Sequence, residues 1–227
     1  MDNTSAFSSN AFDENIRKVI PLYDVIYDEI TDLIKVFCGD RKIALLDTGC
    51  GTGTFAEKAL AELDIGELVL CDPSAEMLDI ARQKTKGHDV ELICKGSEKL
   101  AFNGKFDVVT AIQCHHYFDR PTRETAVRNC FNALKDGGIF IYFENTAPFT
   151  DIGREIMLDR VASFGLKARR TEAEVTAHRL RYGKEFFPLN IKEHLELLEK
   201  AGFERGELFW HSYMQSGFYG IKGHKEG

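Results

Sequence analysis

The stretch Leu45-Leu46-Asp47-Thr48-Gly49-Cys50-Gly51-Thr52-Gly53 joins a buried-looking apolar run to a helix-compatible one, with three alternating glycines at the join. Glycine has no Cβ, so such a turn bends sharply and lets a ligand approach the backbone. Alone it is a weak signal, because tight strand-to-helix turns also use glycine for geometry. The spacing Gly-x-Gly-x-Gly differs from the dinucleotide pattern G-x-G-x-x-G, and Asp47 precedes it. That carboxylate repels a pyrophosphate and attracts a ligand with positive charge. Asp72 follows Gly53 by 19 residues at the end of a second apolar run, where a carboxylate can accept hydrogen bonds from both ribose hydroxyls. A helix cap before Pro73 and Ser74 is the plainer role for Asp72, and the two are compatible. His115 and His116 follow a later run. Neutral imidazole suits a general base or a metal ligand, although packing explains at least one of the pair. No other cluster offers three converging ligands, so no metal is expected.

These residues need a scaffold. Residues 1–37 read as helical: Ile16, Val19, Ile20, Val25, Ile26, Ile30, Leu33 and Ile34 recur at helical intervals, and Pro21 marks a break. Apolar runs at 43–47, 68–72, 90–94, 106–112 and 138–143 then alternate with helical stretches at 55–63, 75–84 and 122–134. That alternation is the pattern of an α/β fold, a doubly wound, mostly parallel sheet with helices on both faces. Asp136-Gly137-Gly138 reads as the turn into the fifth strand. Residues 151–181 are charged and helix-compatible, with Arg154, Arg160, Arg169, Arg170, Arg179 and Arg181, and read as a cover that selects an acceptor. A helix over 191–201, closed by Gly202, precedes runs at 207–213 and 217–221 that predict a hairpin at the sheet edge. One domain is expected: an N-terminal helical cover (1–40), a ligand-binding core (41–146), a helical insertion (147–190), and a last helix with the edge hairpin (191–227).

Of the 227 residues, 44% are hydrophobic and 29% charged, enough to bury a core. The formal charge of -7 supplies no attraction to nucleic acid or an anionic membrane, so neither is expected as a partner. Six cysteines stand singly in apolar surroundings with no CxxC pair, as small core hydrophobes do. The N-terminus lacks the basic start and apolar stretch of a signal peptide, and no segment approaches the ~18 apolar residues that span a bilayer. A cytoplasmic protein is expected.

The segments LLDTGCGTG, CDPSAEML, FDVV and LKDGG, in that order over residues 42–144, resemble the successive motifs of class I S-adenosylmethionine-dependent methyltransferases. The resemblance implies a seven-stranded Rossmann-like sheet whose last strand is antiparallel. It also implies S-adenosylmethionine as cofactor, S-adenosylhomocysteine as product, and direct in-line methyl transfer to an unidentified small-molecule acceptor. By position, Asp47 lies near the cofactor's cationic end, Gly49, Gly51 and Gly53 pack against its methionine moiety, and Asp72 holds the ribose. Pro73 with Met77 borders the adenine, and Ala111 touches the cofactor. Where the family commonly has an acidic residue after the third strand this chain has Gly96, so Ser97 or Glu98 must substitute. His115 and His116 face the transferred methyl.

The chain ends, Phe12-Asp13-Glu14 and AGFERGELFWHSYMQSGFYGIK, resemble those of carboxy-S-adenosylmethionine synthases of tRNA wobble-uridine modification, which hold a carboxylate with an arginine of the insertion. Arg181 stands at a comparable distance before the last helix and suits bidentate carboxylate recognition. The GCGTG turn, however, is the ordinary methyltransferase form. A synthase-like enzyme and a non-catalytic cofactor-binding protein therefore stand as alternatives, and a homodimer is left open.

Overall fold

Strand β1 (Ile43–Thr48) is buried at every residue, as a strand covered on both faces must be. In the computed structural model, which describes residues 7–224, it is the third strand of a seven-stranded sheet, flanked by a strand on each side. Residues 1–6, where the predicted cover and the reading of the N-terminus begin, and residues 225–227 lie outside the described residues. The strand order is β3 (Val90–Ile93), β2 (Ile65–Cys71), β1, β4 (Phe106–Ile112), β5 (Leu134–Asn145), β7 (Gln215–Ile221), β6 (Gly206–Ser212). Strands β1 to β5 pair in parallel, and β7 runs antiparallel to both neighbours. The fold class and the antiparallel last strand are as expected.

Pleating divides the core into two layers. Leu45, Leu70, Val108 and Ile141 face helices α2 (Tyr23–Cys38) and α3 (Thr54–Glu62), while Leu46, Val69, Val109 and Phe140 face α5 (Arg120–Ala133) and α8 (Ile191–Ala201). Helix ends follow local chemistry. Ser74 caps α4 (Ala75–Lys84) by accepting Met77 N–H at 3.2 Å. Asn190 and Glu193 form a capping box on α8, which stops at Gly202 with φ +120°. Helix α5 begins two residues before the predicted position because Asp119 accepts Thr122 N–H at 3.0 Å.

One predicted feature differs. Asp136-Gly137-Gly138 is not a turn before the strand but a bulge inside β5: the partner of Phe106 is Leu134, and that of Val108 is Ile139. Gly137, at φ +76°, takes up the extra backbone, and its N–H donates to Lys222 O at 2.8 Å. The predicted terminal hairpin forms at the sheet edge, with β7 beside β5 and β6 outermost.

The cover consists of α1 (Phe12–Ile16) and the start of α2 on one side, with α6 (Asp151–Lys167) and α7 (Glu172–Arg181) on the other. Chain reversal between β1 and β4, where the strand order switches, opens a crevice at the carboxyl ends of the strands. Both covers lie over it.

Candidate functional site

The glycine turn leaves β1 with Gly49, Gly51 and Gly53 all at positive φ, a backbone region that side-chain-bearing residues rarely adopt. Their surroundings separate them. A Cβ on Gly49 would stand 2.5 Å from Cys114 Cβ, and one on Gly53 would stand 2.9 Å from Ala81 Cβ. Beside Gly51 nothing lies within 4 Å. Gly49 and Gly53 thus permit packing, and Gly51 leaves open space. Asp72 ties the turn to α4: one carboxylate oxygen accepts Gly51 N–H at 3.0 Å, the other Ser74 N–H at 2.9 Å. A carboxylate has further acceptor positions beyond these two bonds. Asp47 is 1% exposed and accepts Thr110 Oγ1–H at 2.7 Å. Burial pushes its carboxyl up to about 7, against the pull of the Thr110 hydrogen bond and with some help from the Asp72 charge.

A cavity of about 250 Å³ lies over this turn. Asp47, Gly49, Gly51, Asp72, Pro73, Met77 and Ser97 line its sheet side, and His116 and Arg181 line it farther along. The covers close it with Phe12, Ile16 and Ile20 from the N-terminal side, and Leu158, Val161 and Phe186 from the insertion. Four of the residues singled out in the sequence stand off its wall. Gly53 backs onto Ala81. Ala111 points into the second core layer, and its neighbour Ile112 reaches the cavity instead, because successive strand residues face opposite sides. Glu98 folds back against Gly96, where a Cβ would collide with its carboxylate. His115 is fully buried against Phe118 and Phe140, with Nε2 2.9 Å from Ser97 Oγ. Burial drives its imidazole down to about 4, so it is neutral and holds Ser97 in place rather than facing a substrate.

His116 is different. Its Nδ1 lies 2.6 Å from Glu144 Oε2, and Glu144 also accepts the backbone N–H groups of Cys114, His115 and His116 at 3.3, 2.8 and 3.0 Å. Burial alone would raise the Glu144 carboxyl, but the electrostatic pull and hydrogen bond of the His116 Nδ1–H, with His115 and Arg123 nearby, hold it below the usual carboxylate range. Arg181 is not a solvated surface charge: its side chain is 14% exposed, and it pairs with Glu185 and the Tyr117 hydroxyl. The neighbouring His178 imidazole is driven down to about 4, by burial first and then by Arg170 and Arg181.

Sequence reasoning missed Glu144 and three amide side chains. Gln113, at φ +56°, donates to Gln215, and Gln215 donates to Asn145 at 2.6 Å, all on the cavity wall. Glu144 carried a readable signal as an acid directly after the apolar run Ile139 to Phe143. Such a buried charge requires partners. The amides carried none, because their meeting depends on β7 lying beside β5.

Comparison with known proteins bears on the family and the fold. Residues 45–138 match the family described as the methyltransferase domain. A carboxy-S-adenosyl-L-methionine synthase of Nautilia profundicola is 24% identical over 208 residues, covering 90% of this chain and 88% of that protein. A malonyl-[acyl-carrier protein] O-methyltransferase of Haemophilus ducreyi is 32% identical over 121 residues, covering 52% of this chain and 46% of that one. Among solved structures, magnesium protoporphyrin IX methyltransferase of Synechocystis with bound S-adenosylhomocysteine superposes with a TM-score of 0.64 at 16% identity. The match covers 91% of this chain and 86% of that one.

Proposed function

We propose, for a chain that belongs to the class I S-adenosylmethionine-dependent methyltransferases, that it methylates a small-molecule acceptor held between the glycine turn and the two helical covers. The observation that carries this reading is the continuity of one cavity from Gly51 and Asp72 to Ile16, Val161 and Arg181. Its residues fit the cofactor. Open space at Gly51 receives the methionine moiety, Asp72 has acceptor capacity for ribose hydroxyls, and the buried Asp47 and Glu144 carboxylates favour positive charge. Pro73, Met77 and Ser97 border the place for adenine. Bound S-adenosylmethionine supplies a methyl group on a sulfonium that is already a good leaving group. The protein's share is therefore orientation and exclusion of water, through an apolar roof over the acceptor.

Calorimetry with S-adenosylhomocysteine tests the cofactor half, and no heat at millimolar ligand would sink it. Release of S-adenosylhomocysteine with a panel of small hydroxyl, amine and carboxyl acceptors tests the transfer.

A synthase-like second reading rests on Arg181 at the cavity wall and on the relatives that span most of the chain. It expects a carboxylated cofactor in the mass spectrum of the ligand retained through purification, and Arg181→Ala should cost carboxylate affinity about 1.5 to 3 kcal/mol. Retention of only S-adenosylmethionine or S-adenosylhomocysteine, with unchanged carboxylate affinity in the variant, removes it.

A further inference from the structure

The strongest polar arrangement that simple methyl transfer leaves unused is the His116–Glu144 pair. Glu144 is 1% exposed, and its ionised carboxylate can only accept hydrogen bonds. The proton at the 2.6 Å contact therefore belongs to His116 Nδ1. In a neutral imidazole this leaves the lone pair on Nε2. Among the described residues none hydrogen-bonds Nε2, and His116 is on the cavity wall. The ring has little freedom: Tyr117 lies 4.3 Å away on one side, and Phe186 meets it edge-on at 6.0 Å. Its backbone is fixed as well, because Glu144 also accepts His116 N–H and Phe187 N–H donates to His116 O at 2.7 Å.

We propose that His116 is the base that takes the proton of the methylated group, with Glu144 as the residue that positions it. The inference rests on the methyl-transfer reading and narrows its acceptor to a hydroxyl or amine that must lose a proton. A carboxylate or tertiary amine would need no base. In the step, the acceptor's O–H or N–H proton passes to His116 Nε2 while an acceptor electron pair forms the bond to the methyl carbon. The carbon–sulfur bond breaks and its pair returns to sulfur. The imidazolium so formed lies against the Glu144 carboxylate, which stabilises it.

The competing account is that Glu144 only buttresses the turn at residues 114–116. It shares the Nδ1–H tautomer but predicts no reactive nitrogen at the cavity. Two measurements on the full-length protein test the proposal without a known acceptor, and the second separates the accounts. Nitrogen-15 NMR of the imidazoles should show His116 protonated at Nδ1 and bare at Nε2. Methyl 4-nitrobenzenesulfonate, a small aromatic methyl donor, should methylate His116 at Nε2, read by peptide mass spectrometry. Glu144→Gln should slow that modification at least tenfold and mix the tautomers. If this variant does not fold, the two wild-type measurements stand alone. Normal S-adenosylhomocysteine binding with an unmodified His116, or with its proton on Nε2, overturns this inference and leaves the methyl-transfer reading intact. Absence of S-adenosylhomocysteine binding removes both.

Discussion

Asp47 is an acid whose ionisation is made harder by burial and which is placed where a cationic ligand is expected. Its carboxyl is pushed up to about 7 in the fold, from 3.8 unperturbed. For an acid shifted upward, the folded state keeps a proton that the unfolded chain has released. Stability should therefore fall as pH rises from about 4 to about 7, and Asp47→Asn should remove that slope from urea melts. Cofactor binding should do the opposite. A cationic ligand favours the carboxylate, so affinity for S-adenosylmethionine should rise through pH 6 to 8, with protons released on binding. Calorimetry at pH 6.5 in buffers of different ionisation heat checks this, and equal heats would contradict it.

The glycines give a second test. Gly51→Val should weaken S-adenosylhomocysteine binding by more than the roughly 1 to 3 kcal/mol expected for Asp72→Ala, because its side chain enters open ligand space. Gly53→Val should mainly lower the melting temperature, since it meets Ala81. Spacing along the chain revealed the turn and Asp72, whose chemistry is local. It did not separate three glycines by task, nor His115 from His116, because those differences are set by Cys114, Ala81 and Glu144, which the fold brings in from elsewhere.

At the scale of elements, the N-terminal cover is fastened directly to the glycine turn. Asp13 in α1 accepts Thr52 Oγ1–H at 2.6 Å and Thr54 Oγ1–H at 3.2 Å, and pairs with Lys84 at the end of α4 at 2.5 Å. Burial opposes the charge on Asp13, but the Lys84 and threonine hydrogen bonds hold its carboxyl below the ordinary range. Because the side chain is 36% exposed, Asp13→Ala should cost about 1 kcal/mol or less in global stability. It should nevertheless speed amide exchange over residues 12–16 and lower S-adenosylhomocysteine affinity several-fold. Unchanged exchange there would show that apolar packing alone holds the cover. Helices were legible where a cap and a period coincide, as at Asn190 to Gly202. The β5 bulge was not, because Asp-Gly-Gly spells a turn unless the pairing of Phe106 with Leu134 is known.

For the whole molecule, residues of both covers and of the sheet line one cavity, so ligand occupancy should stabilise the entire fold. S-adenosylhomocysteine at about 100 times its Kd should add about 2.7 kcal/mol, a rise of roughly 5 to 10 °C in Tm for a chain of this size. A thermal scan that does not move with ligand concentration would rule this out. Among the described residues no group of three or more metal-binding side chains exists, and a chelator should leave that shift unchanged. Among them also, no helix is long and apolar enough to cross a membrane.

The insertion that carries α6 and α7 leaves the sheet at Thr146 and returns at Leu189, which form a bridge with each other, and Ala147 N–H donates to Leu189 O at 2.8 Å. Its two ends are neighbours, so its length and sequence can change with little effect on the strands it interrupts. For a lineage of such proteins this would make the proposed acceptor wall an exchangeable cassette. New substrates could be tried by rewriting some forty residues, 147–188, while the turn from Asp47 to Gly53 and the carboxylate of Asp72, in the proposed role, went on holding the same donor.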